Sequence, residues 1–195
     1  MQDLVLVTQY IPRKRPPHAA SISRTLYCRR LPTLERGSGA GLVEGVAYAM
    51  APSPTVSHQR VGFKSTQQLG ERLEACKPCE ALYEIDWNIS ADTIVRPDVL
   101  VICYEPEEKI TKAPELIFEV ISPSTARRDE QLKFELYQRE GVPYYVLAYP
   151  EQKTARVYGL IDGQYRKIGD FIKESTLITL SSCQFNFDFS KIWKS

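Results

Sequence analysis

The sequence predicts an α/β (α+β) domain in which helices flank a mixed central β-sheet and additional β-hairpins extend it. Three observations predict this class: apolar runs of strand length at 99–103, 116–121 and 142–149, two longer segments with apolar residues at helical spacing, and glycine-containing turns between short alternating segments. A chain of 195 residues with 43% hydrophobic and 25% charged residues is also ordinary for a soluble globular protein with a sizeable core.

Residues 1–37 differ in composition from the rest, so we predict an N-terminal extension followed by one domain over 38–195. The extension combines four prolines with seven basic residues, namely Pro12, Pro16, Pro17, Pro32, Arg13, Lys14, Arg15, Arg24, Arg29, Arg30 and Arg36. An arm that contacts nucleic acid and a solvated segment both fit this composition. The solvated segment is favoured, because prolines and charges leave little apolar surface to bury.

The domain is predicted to begin with a hairpin and a helix. Residues 42–50 favour a hairpin around Glu44-Gly45, where glycine supplies the positive φ that a tight turn needs. Residues 55–76 are predicted to form the helix, because Thr55 or Ser57 can serve as N-cap and apolar residues recur at helical spacing. His58 stands three residues before an apolar position of this helix, so we expect its side chain to face inward.

Three strands and a second helix come next. Residues 81–87 alternate between apolar and polar, so one face of this strand should meet solvent. The runs at 99–103 and 116–121 are apolar on both faces, apart from two acids. A helix over 126–140 is predicted to end at Gly141, because glycine readily adopts the left-handed conformation that stops a helix.

The C-terminal part of the chain is predicted to be β-structure. Residues 142–149 read as another buried strand. Residues 154–168 favour a hairpin with Asp162-Gly163 as its turn. In the tail, residues 177–180 and 185–189 are predicted to be β-like.

Two acids stand where a buried strand should carry apolar side chains. Asp98 begins one apolar strand and Glu119 interrupts the next, and side-chain alternation places each acid on the same face as aliphatic neighbours. A buried carboxylate is unfavourable unless it is paired or binds a metal ion. Two carboxylates on neighbouring strands also repel each other. A magnesium ion, which suits one or two carboxylates together with waters and a substrate phosphate, would resolve both problems.

A lysine on the second helix completes the candidate site. When Asp129 is taken as the reference, the helical angle places Lys133 on the apolar arc that Leu132, Leu136 and Tyr137 define. Lysine is rarely buried there without a partner. Either it pairs with the two carboxylates as a buried ion cluster, or it places a positive charge beside a phosphate and its attacking water. Function is favoured, because buried ion clusters contribute little to stability.

The five cysteines and the hydropathy suggest a cytoplasmic protein. Cys76 and Cys79 have the spacing of a zinc or redox pair, but no second pair follows. We therefore expect free thiols rather than disulfides, and hence a reducing cytoplasm. No apolar run reaches the roughly 20 residues that span a bilayer, and the N-terminus lacks the basic region of a signal peptide.

Several motifs together resemble the Uma2 family (DUF820). They are RPDVLV at 96–101, PELIFEVISPST at 114–125, Asp129 with Lys133, and GVPYY at 141–145. The resemblance runs from about residue 41 to 189. It implies a restriction-endonuclease-like core of the PD-(D/E)XK type, in a mainly bacterial family that is abundant in cyanobacteria.

The resemblance also implies roles for the acids and the lysine. Asp98 and Glu119 would bind Mg²⁺ or Mn²⁺. Ile121 occupies the place of the usual motif lysine, so Lys133 on the following helix would take that role. Accessory candidates are His58, Glu44 and Asp129.

The function implied by this resemblance is that of an endonuclease that hydrolyses phosphodiester bonds in nucleic acid, with DNA as the expected partner. Candidate contacts with nucleic acid are Arg96, Arg127 and Arg128. The alternative is a non-catalytic module that binds nucleic acid or protein and keeps the nuclease fold. The net charge of only +1 favours this alternative, because nonspecific duplex binders usually show a more basic surface. A two-fold homodimer is expected on general grounds.

Overall fold

The computed structural model describes residues 41–48, 54–123, 126 and 128–193. The predicted extension over 1–37 lies outside the described residues. The described part contains twelve strands: β1 Gly41–Val43, β2 Val46–Tyr48, β3 Glu80–Tyr83, β4 Trp87–Ser90, β5 Thr93–Val95, β6 Val99–Ile102, β7 Leu116–Val120, β8 Tyr144–Tyr149, β9 Thr154–Ile161, β10 Gln164–Phe171, β11 Ser175–Thr179 and β12 Gln184–Asp188. Its helices are α1 Val56–Leu73, a π-helix Arg128–Lys133, α2 Phe134–Arg139 and a 3₁₀ turn Phe189–Lys191.

Six strands form the central sheet, in the order β10-β9-β8-β7-β6-β3. β7 and β8 run parallel, whereas the other neighbours in this sheet are antiparallel. A four-stranded sheet has the order β2-β1-β5-β4, and β11 pairs with β12. The predicted class is therefore confirmed: a mixed central sheet with helices and additional hairpins.

Both faces of the central sheet are buried, which explains the apolar runs. On β6, Val99 and Val101 face a cluster that includes the α1 side chain Leu69. Leu100 and Ile102 face the opposite cluster, which contains residues of α2 and of the four-stranded sheet. A strand covered on both sides has no polar face, so its sequence loses the alternation of a solvent-facing strand.

The segment predicted as one strand over 81–87 is divided in the structure. β3 ends at Tyr83, and Glu84 adopts a left-handed φ of 48°. A separate hairpin of β4 and β5 follows, which the sequence did not predict. A turn at a non-glycine residue carries a weak signal, because few non-glycine residues adopt positive φ.

Helix α1 packs closely on β3 at a glycine. Thr55 caps the helix, and its side chain accepts a hydrogen bond from His58 N at 3.2 Å. Further along, a methyl group added at Gly62 would lie 2.8 Å from Tyr83 Cε2. The Tyr83 hydroxyl donates to Gln59 Oε1 of the same helix at 2.7 Å. Glycine at position 62 therefore allows α1 and β3 to pack closely against each other.

We expect Gly62→Ala to lower the free energy of unfolding by about 1–2 kcal/mol, because the Tyr83 ring must move away. Gly70→Ala in the same helix is the matched control, since nothing lies within 4 Å of an added methyl group there. That change should raise stability by about 0.5–1 kcal/mol through helix propensity. Urea denaturation of both variants measures the difference, and equal effects would contradict the packing argument.

The second helix begins differently from the prediction. Instead of one α-helix over 126–140, the structure has the π-helix Arg128–Lys133, which continues as α2. The predicted inner face is nevertheless confirmed, because Lys133, Leu136 and Tyr137 are buried. Gly141 follows with a φ of 79°, as expected for a helix stop.

The expectation of free thiols is wrong. Cys76 forms a disulfide with Cys183, and Cys79 forms one with Cys103. A reducing cytoplasm therefore no longer follows from the cysteines. Among the residues that the structure describes, no helix is long and apolar enough to cross a membrane.

Candidate active site

Asp98 and Glu119 lie side by side on neighbouring strands. Val99 of β6 pairs with Phe118 of β7, so continuing the register by one residue places Asp98 opposite Glu119. Val120 N donates to Asp98 Oδ2 at 2.6 Å, which holds the Asp98 side chain against β7. The two acids predicted to act together are therefore adjacent.

Glu119 is buried and is held by two donors from the second helical segment. Lys133 Nζ lies 2.7 Å from Glu119 Oε1, and the Tyr137 hydroxyl donates to the same oxygen at 2.9 Å. Only 2% of the Glu119 side chain is exposed. Because both bonds end on Oε1, the second oxygen, Oε2, carries neither of them.

Lys133 joins two buried acids. Its Nζ also lies 3.2 Å from Asp129 Oδ1, and the exposed fraction of the lysine side chain is only 7%. The π-helix supplies both residues, four positions apart. Its backbone is fixed from the sheet, because the Tyr145 hydroxyl donates to the Asp129 carbonyl at 2.9 Å. A π-helix has a wider turn than an α-helix and often occurs at functional sites.

His58 reaches Asp98 from the first turn of α1. Its Nε2 lies 3.4 Å from Asp98 Oδ2. Burial on its own would lower the pKa of His58, but the hydrogen bond and the negative charge of Asp98 outweigh it, so the pKa is raised. Nδ1 is buried and has no hydrogen-bond partner among the described residues. The histidine thus favours its protonated form beside the carboxylate.

Burial raises the pKa of Glu119 from 4.5 to about 8. The negative charges of Asp129 and Asp98 act in the same direction, and the positive charge of Lys133 opposes them. The carboxylate therefore sits in an environment that disfavours its charge in the absence of a further cation. Perturbed carboxylates of this kind are common at catalytic and metal-binding sites.

We expect metal-free protein to lose stability as the pH rises from about 4.5 to about 8. The folded state binds the Glu119 proton more tightly than the unfolded state, so ionisation over this window favours unfolding. Glu119→Gln should remove roughly 3–5 kcal/mol of this pH-dependent loss. Urea denaturation at both ends of the window, with chelator present, measures it. The control is Glu135→Gln, at an exposed glutamate of α2, which should keep the wild-type dependence of the free energy of unfolding on pH. If Glu119→Gln shows that same pH dependence, burial of the Glu119 carboxyl group is not its cause.

The donor set fits a hard divalent cation. Asp98 uses Oδ2 for Val120 and His58, and Glu119 uses Oε1 for Lys133 and Tyr137, so Asp98 Oδ1 and Glu119 Oε2 take part in none of these contacts. In the described ranges, no group of three or more His, Cys, Asp or Glu side chains is placed to hold a metal ion. Two carboxylates, completed by waters and a substrate phosphate, are nevertheless a normal magnesium environment.

Some predicted site residues lie outside this cluster. Glu44 is exposed and pairs with Arg139 at 3.0 Å. Arg96 pairs with Asp86 through Nε at 2.7 Å and Nη2 at 3.1 Å. Arg127 is not among the described residues, and the Arg128 side chain is not described either. Among the candidates whose side chains are described, the structure joins Asp98, Glu119, Lys133, His58 and Asp129, and it places Glu44 and Arg96 in ion pairs elsewhere.

Helical spacing places Tyr137 on the apolar arc of the second helix and does not assign it a contact with the acids. Its hydroxyl contacts Glu119 directly, so Tyr137 belongs to the site. The signal for this was available, since Tyr137 follows Lys133 by one helical turn and carries a polar group on a buried face. Buried tyrosine hydroxyls usually have a hydrogen-bond partner.

Comparisons with known proteins agree with this fold. The Uma2 family model, described as "Putative restriction endonuclease", matches residues 26–188. The chain is similar to the crystal structure of a "putative nuclease belonging to DUF820" from Anabaena variabilis ATCC 29413, with a TM-score of 0.67 and 17% identity over 84% of this chain and 93% of that chain. At this identity the similarity shows the fold alone. A cryo-EM structure of a DrdV–DNA complex matches with a TM-score of 0.35 and 16% identity over 54% of this chain and 9% of that chain. No curated protein matches the chain.

Proposed function

Because the chain belongs to the Uma2 family, whose description is that of a restriction-endonuclease-like nuclease, we propose that it is a Mg²⁺-dependent endonuclease that hydrolyses phosphodiester bonds in DNA. One observation carries the proposal. Asp98 and Glu119 are adjacent on neighbouring strands, and the Lys133 ammonium group contacts Glu119. Two carboxylates and a lysine at one point are the groups that hydrolysis of a phosphodiester needs for a metal ion and for charge stabilisation.

Asp98 and Glu119 would hold the Mg²⁺ or Mn²⁺ ion. When bound, such an ion lowers the pKa of a water ligand and offsets negative charge on the phosphate. Val120 N and His58 fix one oxygen of Asp98, and Lys133 and Tyr137 fix one oxygen of Glu119. These bonds orient the two carboxylates before any substrate arrives.

Lys133 would act on the reacting phosphate through its charge. Asp129 and Glu119 hold Nζ in place from two sides. A cation that is already ordered needs little reorganisation when negative charge develops, so its stabilising effect is larger than in water. His58, whose Nε2 lies 3.4 Å from Asp98 Oδ2, would help to orient that carboxylate.

Cleavage assays test the proposal. Purified protein should cut at least one member of a panel of supercoiled, linear, nicked and single-stranded DNA when Mg²⁺ or Mn²⁺ is present, and chelator should abolish cleavage. RNA of matched sequence serves to test the DNA preference. A panel left uncut with both ions would contradict the proposal.

One observation favours a second candidate, a binding module without turnover. Lys133 Nζ already lies 2.7 Å from Glu119 Oε1 and 3.2 Å from Asp129 Oδ1, so these buried side chains form an ion cluster without a metal ion. If the protein binds DNA with the same affinity with and without chelator, and does not cleave it, the binding module is supported. Binding that needs the divalent ion would support the endonuclease.

A further inference from the structure

The structure gathers four of the five cysteines of the chain into one place. They are Cys76, Cys79, Cys103 and Cys183. We propose that, in the reduced protein, these four sulfur atoms form a tetrathiolate Zn²⁺ site. The sequence alone offered only the pair Cys76 and Cys79, and a closed zinc site needs four ligands. The fold supplies the missing two.

A single tight turn places the first two sulfur atoms together. Cys79 N donates to Cys76 O at 2.6 Å, so the two residues close a turn directly after α1. Each of these cysteines is in bonding contact with one further sulfur, Cys183 for Cys76 and Cys103 for Cys79. All four sulfur atoms therefore surround the same turn. A C-x₂-C turn with two further cysteines from elsewhere in the chain is a common arrangement of structural zinc sites.

The other two cysteines are positioned by the sheets rather than by the disulfides alone. Glu80 of β3 pairs with Ile102 of β6, so Cys79 and Cys103 are the next residues of the same antiparallel ladder. Cys183 closes the turn between β11 and β12, where Leu180 N donates to Cys183 O at 2.7 Å. The ladder of β3 and β6 thus keeps Cys79 beside Cys103 after the disulfides are reduced, and the hydrogen bond of the β11–β12 turn fixes the backbone at Cys183.

The surroundings suit a structural zinc ion. Cys76 and Cys79 are buried in the hydrophobic core, and Cys103 and Cys183 pack against that core. Such a site is shielded from solvent, as structural zinc sites are. Lys77 lies inside the turn and is exposed, so it places a positive charge close to a tetrathiolate centre that carries net negative charge.

This zinc site is separate from the candidate active site. Asp98 precedes β6 and Cys103 follows it, and β6 has four residues. At about 3.3 Å per residue, their Cα atoms lie on the order of 16 Å apart. The two sites share no residue, so loss of zinc and loss of nuclease activity can be measured independently.

Disulfides and zinc are alternative states of the same atoms. In the disulfide state each of the four sulfur atoms is bonded to another sulfur atom and is not a metal ligand. A dithiol reductant breaks both S–S bonds by supplying four electrons and four protons, and is itself oxidised to a disulfide. Binding of Zn²⁺ by the four thiols then releases four protons.

Metal analysis of the full chain tests this proposal, with Zn²⁺ as the probe. Protein kept in a dithiol reductant and desalted after addition of Zn²⁺ should retain about one zinc ion per chain. Co²⁺ in place of Zn²⁺ should give the visible absorption of a tetrahedral tetrathiolate complex. Oxidised protein should retain no zinc. Alkylation of the oxidised protein, followed by mass measurement, should show four cysteines that do not react because they are held in disulfides.

Variants separate this site from chance binding. Cys103→Ser and Cys183→Ser should each lose the tetrathiolate cobalt spectrum, whereas Cys28→Ser, at the fifth cysteine of the chain, should keep it. Folding of each variant is checked by circular dichroism, and the wild-type comparison between oxidised and reduced protein does not depend on variants. The proposal is overturned if reduced wild-type protein retains no zinc, if the Cys103→Ser, Cys183→Ser double variant retains zinc as wild type does, or if iron replaces zinc in protein as purified.

Discussion

Asp98→Asn is expected to reduce metal-dependent DNA cleavage by at least about 100-fold while the protein stays folded. The amide keeps the shape of the carboxylate and can still accept the hydrogen bond from Val120 N. It lacks the negative charge that would hold a divalent ion, and metal-ion catalysis supplies several kcal/mol of stabilisation to the transition state. Single-turnover cleavage rates measure the change.

The matched control for this experiment is Asp170→Asn. It removes the same charge from β10, at the edge of the central sheet, where Asp170 pairs with Arg156 at 3.2 Å on the surface. Its cleavage rate should stay within a few-fold of wild type. If Asp98→Asn cleaves as fast as Asp170→Asn, Asp98 is not a metal ligand of the reaction.

Lys133→Met is expected to lower the free energy of unfolding by about 3–5 kcal/mol at pH 8. Methionine fills a similar volume but leaves Glu119 and Asp129 buried without their shared cation. Lys133 lowers the pKa of Glu119, so in the variant that acid is neutral at both pH 5 and pH 8, and the loss should be similar at the two values. Urea denaturation at both pH values measures the loss.

Two further variants examine the cause of that loss. Lys167→Met removes an exposed lysine that pairs with Asp170, and surface pairs of this kind contribute less than about 1 kcal/mol. Adding Glu119→Gln to Lys133→Met should restore part of the lost stability at pH 8, because folding then no longer requires the uptake of a proton by a buried acid. An equal loss for Lys167→Met and Lys133→Met would contradict the buried ion pair.

The central sheet and the carboxylate pair could be predicted from the sequence because both follow from short-range rules. Side chains alternate along a strand, so Asp98 and Glu119 had to share faces with aliphatic residues. The position of Lys133 also followed from helical spacing, even though its segment is a π-helix. The prediction that Lys133 faces inward holds in the π-helix as well, because Asp129 and Lys133, four residues apart, still point to the same side.

Other features depend on contacts between distant residues, which local patterns do not encode. The pairing of Cys76 with Cys183 spans 107 positions, and cysteine spacing alone does not determine connectivity. Glu44 could be assigned to a hairpin from the sequence. Only the fold shows that its side chain pairs with Arg139 and does not join Asp98 and Glu119. The direct contact of Tyr137 with Glu119 likewise required the strand and the helix in place.

Calorimetric titration of Mn²⁺ into the metal-free protein tests the central claim most directly, because it measures ion binding by Asp98 and Glu119 without assuming a substrate. Oxidised protein is used, so that the cysteines take no part. We expect saturable binding of Mn²⁺ to wild type and to Asp170→Asn, and no binding to Asp98→Asn. Equal binding to wild type and Asp98→Asn, or no binding to wild type, would contradict it.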